Sequence, residues 1–285
     1  MTGKGLKRRN VLQAGLFGAA ALTLPGCMTS GSAPRSYPPY INRLGIQLYS
    51  VRDRFKPDFA GTLEALAAIG YKDVETAGLF QHDPYAVRAK LDELGLVSRS
   101  AHVPIDAVQK DLGKLLDISA ILGQNNLIVP FVNDAWRSPE GYRKLADVLN
   151  EAGAVIAKAG KRIAYHNHDF EFDRLGNGET GYDILLSHTD PDLVSFEADL
   201  FWMVKANVDP VAMFKRAPGR FISCHIKDRT ASGDMVPVGD GVIDFAALLA
   251  EHELAGLDCY YVEHDRPEDS MTFARRSFAA LNPAR

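Results

Sequence analysis

The sequence has no concentrated positive charge. Its 32 lysines and arginines are spread along 285 residues and are outnumbered by 36 aspartates and glutamates, so the formal net charge is −4. Because nucleic-acid binding depends on basic side chains clustered against phosphates, no nucleic-acid partner is expected. Hydrophobic residues make up 46% and charged residues 24% of the chain, which is the composition of a globular protein with a large core.

The N-terminal segment lacks an apolar run long enough to span a bilayer comfortably as a helix, since its run covers only residues 11–24. That run follows the pair Arg8 and Arg9 and leads to Cys27, a pattern that resembles a twin-arginine export signal ending in a lipobox. The alternative is an ordinary secretory signal, in which the two arginines form only the basic start. We expect an exported, periplasmic protein, and lipidation of Cys27 would attach it to the membrane.

The remainder of the chain has no break in composition. Residues 1–27 are assigned to the export signal, residues 28–41, rich in Ser, Pro and Gly, to a flexible tether, and residues 42–285 to one domain. A doubly wound open sheet is the alternative to a barrel. No Gly-rich dinucleotide fingerprint follows any predicted strand, which argues against the open sheet.

Short β-rich runs alternate with amphipathic helical stretches from residue 42 onward, and eight such pairs predict an α/β fold, a single (β/α)8 TIM barrel. The predicted strands are residues 44–49, 72–76, 97–102, 127–131, 162–168, 193–199, 221–227 and 259–263. Glycines at predicted helix ends and prolines at predicted helix starts support this division. The former are Gly70, Gly95, Gly123 and Gly160, and the latter are Pro84, Pro139, Pro191 and Pro210.

Cysteine is scarce, with only Cys224 and Cys259 in the predicted barrel. Side chains alternate between the two faces of a strand. If His225 and Glu263 point into the barrel, Cys224 points out and Cys259 points in. We therefore expect two buried thiols and no disulfide.

Ionisable residues concentrate where the predicted strands end. A single charged group in a barrel core costs several kcal/mol unless it is paired or bound to metal, so six strands ending in such groups predict a shared polar centre at the carboxyl end of the barrel. The residues are Glu75, His102, His166, His168, Glu197, Asp199, His225, Lys227, Asp228, Glu263, His264 and Asp265. Imidazoles and carboxylates converging from separate strands are typical ligands of first-row divalent ions, and Asp199, His225 and Glu263 with a ligand from strand five form the predicted set.

Five motifs give the chain a resemblance to the sugar phosphate isomerase/epimerase family, whose members are xylose-isomerase-like barrels and include inosose dehydratases and 3-keto-glycoside lyases. The motifs are GIQLYSVRD (45–53), YHNHDFEF (165–172), HIKD (225–228), VGDGVIDF (238–245) and EHDRP (263–267). The resemblance implies one divalent ion held by Glu, Asp, His and Glu on strands five to eight. Asp199, His225 and Glu263 match the last three positions, whereas His166 stands where many relatives have Glu. Either His166 is the fourth ligand, or His168 or Glu171 takes that place.

The expected chemistry begins with removal of a proton next to a carbonyl, with the ion as Lewis acid. The candidate catalytic residues are Lys227, His168, Glu171 and His102. The candidate substrate-binding residues are Gln47, Tyr49, Glu75, Trp202 and Asp228. Mn²⁺ is the first expectation for the ion, and Zn, Co, Fe or Mg are the alternatives.

Two fates of the resulting enolate are open. Reprotonation gives an isomerase or epimerase, which family frequency favours, and expulsion of a β-oxygen gives a lyase or dehydratase. The sequence has no Gly-rich phosphate cradle, so the expected partner is an unphosphorylated keto-sugar or related polyol. A non-catalytic sugar-binding lipoprotein and an abasic-site endonuclease are weaker alternatives, and the oligomeric state stays open.

Overall fold

The computed structural model describes Ile41 and residues 43–282, and its centre is a closed barrel of eight parallel strands. The barrel strands are β1 (Gly45–Gln47), β2 (Asp73–Thr76), β3 (Val97–His102), β4 (Asn126–Val129), β5 (Arg162–His166), β6 (Val194–Asp199), β7 (Phe221–Ile226) and β10 (Cys259–Val262). Strands β8 (Asp228–Arg229) and β9 (Met235–Val236) form a separate antiparallel ribbon after β7. The order around the barrel follows the chain, and β10 pairs with β1 to close it.

Helices surround the barrel and connect successive strands. They are α1 (Arg52–Phe55), α2 (Phe59–Ile69), α3 (Pro84–Leu94), α4 (Ile105–Lys110), α5 (Leu112–Leu122), α6 (Pro139–Lys158), α7 (Gly181–His188), α8 (Leu200–Lys205), α9 (Pro210–Arg216), α10 (Phe245–Leu249), α11 (His252–Ala255) and α12 (Ser270–Leu281). Short 3-10 turns lie at Leu48–Val51, Asp134–Trp136 and Phe170–Phe172. Within the described residues, no helix is long and apolar enough to cross a membrane.

The predicted barrel is confirmed, and every predicted strand coincides with an observed one to within two residues at each end. Gly70, Gly95 and Gly123 cap α2, α3 and α5 as expected. One helix start is wrong: Pro191 lies in a turn directly before β6 and opens no helix. The export signal, Cys27 and almost all of the tether lie outside the described residues.

Cys224 and Cys259 are both buried free thiols, which confirms the expectation of no disulfide between them.

Ion pairs close the amino end of the barrel. Asp73 at the start of β2 is 1% exposed and pairs with Arg43 at 2.7 Å and with Arg99 at 2.6 Å. This buried carboxylate therefore stabilises the end of the barrel opposite to the strand carboxyl ends, where the other buried ionisable groups gather.

Candidate metal centre and active site

Acidic and imidazole side chains from β6, β7 and the residue after β10 meet at the carboxyl end of the barrel. Donor atoms of Asp199, His225 and Glu263 lie within 4.8 Å of one another, and all three side chains are buried. We call these three residues the upper cluster. His225 Nδ1 is in direct contact with Glu263 Oε2. The alternation of side chains along parallel strands thus brings the three predicted ligands of strands six to eight to one point.

His166 lies at the edge of the upper cluster. Its Nε2 atom is 3.6 Å from Asp199 Oδ2, too long for a hydrogen bond but a normal separation for two ligands of one ion. The rings of His166 and His225 have their centroids 4.7 Å apart. Of the three candidates for the fourth ligand, His166 is therefore the one that the geometry favours.

A buried lysine pairs with the carboxylates of the upper cluster. Lys227 Nζ lies 2.9 Å from Asp199 Oδ2 and 2.8 Å from Glu263 Oε2. It also lies 2.9 Å from Asp265 Oδ1. Burial alone lowers the pKa of Lys227, but the neighbouring carboxylates outweigh it and hold that pKa well above its usual value. Lys227 is therefore an ammonium group.

The upper cluster suits a divalent cation. Among the described residues, five buried side-chain polar atoms have no hydrogen-bond partner, and Asp199 Oδ2 is one of them. The nearby Lys227 ammonium forms an ion pair with this oxygen but no hydrogen bond. A buried carboxylate oxygen that accepts no hydrogen bond and lies beside imidazole nitrogens is a fitting donor for a first-row ion.

A second group of side chains lies one layer deeper in the barrel. We call His102, His166, Glu197 and His225 the lower cluster, whose donor atoms also lie within 4.8 Å of one another. The Glu197 carboxylate is fully buried and stands at its centre. The sequence places Glu197 in the predicted polar centre, on the same face as Asp199, but assigns it no ligand, catalytic or substrate-binding role.

Glu75 lies beside the lower cluster and contacts side chains of β1, β3 and β7. Its Oε2 atom lies 2.6 Å from His225 Nε2 and accepts a hydrogen bond of 2.8 Å from Gln47 Nε2. Ser100 donates to Oε1 at 2.5 Å and lies 3.0 Å from the hydroxyl of Tyr261. Glu75 and Gln47 were predicted to bind substrate, but both are fully buried, where Glu75 contacts the ring of His225 and Gln47 donates to Glu75.

Three more candidates lie at the rim of the site. The Nε1 atom of Trp202, the third residue of α8, is buried and has no hydrogen-bond partner. The same is true of the Nδ1 atom of His168. Their ring centroids are 5.3 Å apart. Burial and the nearby Lys227 lower the pKa of His168 to about 4, so its imidazole is neutral at neutral pH. Tyr49 is 39% exposed and lies under the guanidinium of Arg52.

The structure places two candidates away from this centre. The Glu171 carboxylate accepts hydrogen bonds from the Tyr165 hydroxyl at 2.6 Å and the His168 amide at 2.7 Å, and it belongs to neither cluster. Asp228 accepts hydrogen bonds from four backbone amides at 2.8 to 3.2 Å. These amides belong to Arg229, Gly239, Gly241 and Ile243. The geometry thus gives Asp228 the task of holding the loop after β7, and Glu171 that of holding the segment after β5. It supports neither substrate binding by Asp228 nor proton transfer or metal ligation by Glu171.

His102, a candidate for proton transfer, is directed away from the rim. Its Nε2 atom lies 2.8 Å from Glu197 Oε2 and 3.3 Å from Glu75 Oε2. Although burial opposes it, the two carboxylates raise the pKa of His102. The structure therefore brings His102 into the lower cluster.

The sequence profile of xylose isomerase-like TIM barrel proteins matches residues 63–279. The chain belongs to the xylose isomerase-like TIM barrel family. The inosose dehydratase of Geobacillus kaustophilus (strain HTA426) is 26% identical over 230 residues, and the match covers 66% of this chain and 74% of that protein. Inosose dehydratase 2 of a Bacillus cereus strain is 33% identical over 159 residues, covering 47% of this chain and 51% of that protein.

Two solved structures share the fold of this barrel. A sugar phosphate isomerase/epimerase from Parabacteroides distasonis ATCC 8503 superposes with a TM-score of 0.76 at 26% identity, covering 90% of this chain and 96% of that one. The apo 3-keto-D-glucoside 4-epimerase from E. coli superposes with a TM-score of 0.65 at 20% identity, covering 85% of this chain and 99% of that one. The second likeness shows the fold alone.

Proposed function

We propose that this protein is a divalent-metal-dependent lyase or dehydratase that removes a proton next to the carbonyl of an unphosphorylated keto-sugar or keto-polyol. The observation that carries the proposal is the convergence of Asp199, His225 and Glu263 on one point at the carboxyl end of the barrel, beside the ammonium of Lys227. Active sites of TIM barrels lie at that end.

The upper cluster, with His166 as the fourth ligand, would hold the ion. When bound, the ion supplies Lewis acidity toward the substrate carbonyl. Two carboxylates and two imidazoles are a mixed oxygen and nitrogen set, and on that ground we propose Mn²⁺, with Zn, Co, Fe or Mg as alternatives.

His168 is the proposed general base. Its imidazole is neutral, and the buried Nδ1 atom has no partner in the protein, so it is free to accept a proton from the substrate. The unpaired Nε1–H of Trp202 lies beside it and is placed to donate a hydrogen bond to a substrate hydroxyl. A sugar would thus satisfy two buried polar groups that the protein leaves unpaired.

Lys227 is the proposed acid. Because its neighbours hold it as an ammonium, Lys227 does not fit the role of a base, which the sequence had left open. It can stabilise negative charge on the substrate oxygen and donate a proton to a departing β-hydroxyl. A base on the segment after β5 and an acid after β7 are the two groups that elimination requires.

The names of the relatives support elimination, because both of the similar sequences named above are inosose dehydratases. An isomerase or epimerase is the second candidate, favoured by the likeness at 26% identity to a structure named sugar phosphate isomerase/epimerase. The two reactions share the removal of a proton and differ only in the step after it.

We also propose that the protein is exported and works in the periplasm.

A metal analysis followed by turnover in deuterated water tests the proposal. The mature protein, loaded with Mn²⁺, is incubated with a panel of inososes and 3-keto-glycosides, and the products are analysed by mass spectrometry. An unsaturated, dehydrated product supports the lyase, whereas a recovered isomer carrying deuterium supports the second candidate. D199N should lose activity and D73N, which removes a buried carboxylate at the opposite end of the barrel, should retain it. A protein that binds no ion and exchanges no C–H bond would refute both.

A further inference from the structure

We infer that Glu197 is a positioning residue whose single carboxylate fixes the tautomer and orientation of both imidazoles at the metal centre, His166 and His225. The inference rests on the proposed function, because it takes the upper cluster as the metal site. Nothing in the sequence motifs or in the relatives' names assigns a role to Glu197. Its role depends on which nitrogen of each ring faces which carboxylate.

His166 presents one nitrogen to each cluster. Its Nδ1 atom lies 3.0 Å from Glu197 Oε2, and its Nε2 atom lies 3.6 Å from Asp199 Oδ2. An ionised carboxylate only accepts hydrogen bonds, so the Nδ1 atom must carry the proton. The lone pair of Nε2 is then directed toward the upper cluster, which is the form that ligates a metal.

His225 has the same arrangement with its two nitrogens exchanged. Its Nε2 atom lies 3.1 Å from Glu197 Oε2 and 2.6 Å from Glu75 Oε2, and its Nδ1 atom contacts Glu263 in the upper cluster. When Nδ1 is a ligand, the remaining ring proton must be on Nε2, where the two lower carboxylates accept it. Among the described residues, Glu197 is the only carboxylate that contacts both His166 Nδ1 and His225 Nε2, the ring nitrogens that face away from the upper cluster.

The Glu197 carboxylate is itself held in place. Its Oε1 atom accepts a hydrogen bond of 2.7 Å from Ser223 Oγ, and its Oε2 atom is 2.8 Å from His102 Nε2. His102 Nε2, His166 Nδ1 and His225 Nε2 thus surround a single oxygen, Glu197 Oε2. Replacing the carboxylate by a neutral amide would let the amide N–H₂ face a ring nitrogen and so favour the opposite tautomer, which directs an N–H at the metal site.

The lower cluster could instead be a second metal site, since it has three imidazoles and a carboxylate within reach of one another. A second ion there would require both nitrogens of His166 and of His225 to be ligands at once. Each ring would then have to lose its last proton, which a neutral imidazole gives up only with difficulty. The hydrogen-bonded arrangement avoids this, because each nitrogen of the lower cluster already faces a carboxylate oxygen.

The experiment compares wild type, E197Q and D73N after removal of metal by chelation. Co²⁺ is titrated into each protein and followed by visible absorption. Loss of a group that hydrogen-bonds to a metal-ligating histidine typically weakens metal binding by roughly 10- to 100-fold, and we expect a weakening of this size for E197Q. D73N, which removes a buried carboxylate that contacts neither histidine, should bind Co²⁺ as wild type does. S223A, a smaller change that frees one oxygen of Glu197, should lie between them and serves if E197Q does not fold.

Nitrogen-15 NMR of histidine-labelled, metal-free protein gives a readout that needs no metal. We expect wild-type His166 to be the Nδ1–H tautomer and the E197Q or S223A variant to shift toward Nε2–H. A wild-type protein that binds no Co²⁺ but shows the Nδ1–H tautomer would overturn the proposed function while supporting the role of Glu197. An Nε2–H tautomer in wild type, unchanged affinity in E197Q, or two tightly bound Co²⁺ ions per chain would each overturn the inference.

Discussion

Replacing Lys227 by methionine tests the electrostatic balance of the upper cluster. The Lys227 side chain is 2% exposed, and its ammonium lies within 2.9 Å of the carboxylates of Asp199, Glu263 and Asp265. Methionine retains the unbranched shape but removes the charge. The metal-free variant must then keep Asp199 and Glu263 close together in the barrel without the cation between them.

The expected cost follows from the burial of this group. Removing one partner of a buried ion pair costs about 3–5 kcal/mol, because the other charge stays buried without compensation. For a domain of this size, that loss corresponds to a fall in melting temperature of roughly 10 °C. A saturating divalent ion restores positive charge between the carboxylates, so the difference between wild type and K227M should shrink when both are loaded.

Differential scanning calorimetry of both proteins, metal-free and with excess Mn²⁺, measures these differences. K90M is the matched control, because Lys90 pairs with Glu64 and Glu93 on the surface, where an ion pair contributes little. If metal-free K227M melts within about 2 °C of wild type, the carboxylates are not held by Lys227 and the reasoning fails. A variant that is destabilised equally with and without Mn²⁺ would show that the ion does not bind between them.

Three further results are expected. Burial raises the pKa of Glu171 from 4.5 to about 7, so between these two pH values the folded state binds one proton more than the unfolded state. The free energy of unfolding of wild type should therefore fall by roughly 3 kcal/mol as the pH rises through this range. E171Q should flatten that part of the curve in urea unfolding at several pH values. Burial also raises the pKa of Asp199 to about 6, and although burial opposes it, Glu197 and Glu263 hold the pKa of His225 well above its usual value. Both ligands must lose a proton to bind a metal, so Co²⁺ binding should weaken by at least about tenfold per pH unit below pH 6, as measured by absorption titration. G241A should destabilise the protein by about 1–3 kcal/mol in thermal unfolding, because its Cβ would overlap Asp228 Oδ1, whereas G113A, which meets open space, should not.

The fold could be predicted because the barrel repeats one local pattern. A parallel strand buried on both faces is a short apolar run, and the helices between such runs end at glycines that adopt the left-handed conformation, as Gly95 and Gly123 do. Pro191 deviates because proline is equally suited to the tight turn before β6. Its fixed φ angle favours both structures, so the residue alone does not distinguish them.

The candidate site was predictable only in part. Alternation indicates which side chains of β6 point inward, and it brought Asp199 to the centre. It does not indicate which layer meets the substrate, so Glu197 was expected in the polar centre but was assigned no role. For Asp228 and Glu171, the sequence shows an acidic residue near a strand end but not whether hydrogen-bond donors of the protein surround it. That depends on how the loop after β7 and the segment after β5 fold back.

The charges at the centre bear on the substrate class. Asp199 and Glu263 supply two negative charges, which a divalent ion cancels, while the ligands His166 and His225 add none in their neutral forms. Lys227 is offset by Asp265 at 2.9 Å. These six side chains and the ion sum to zero, and the ionised Glu197 beside His166 adds a negative charge, so they offer no excess positive charge to a phosphate group. A glutamate as the strand-five ligand would add one more negative charge and would oppose charge developing on a substrate oxygen. The histidine therefore favours a neutral sugar and the stabilisation of negative charge formed during the reaction.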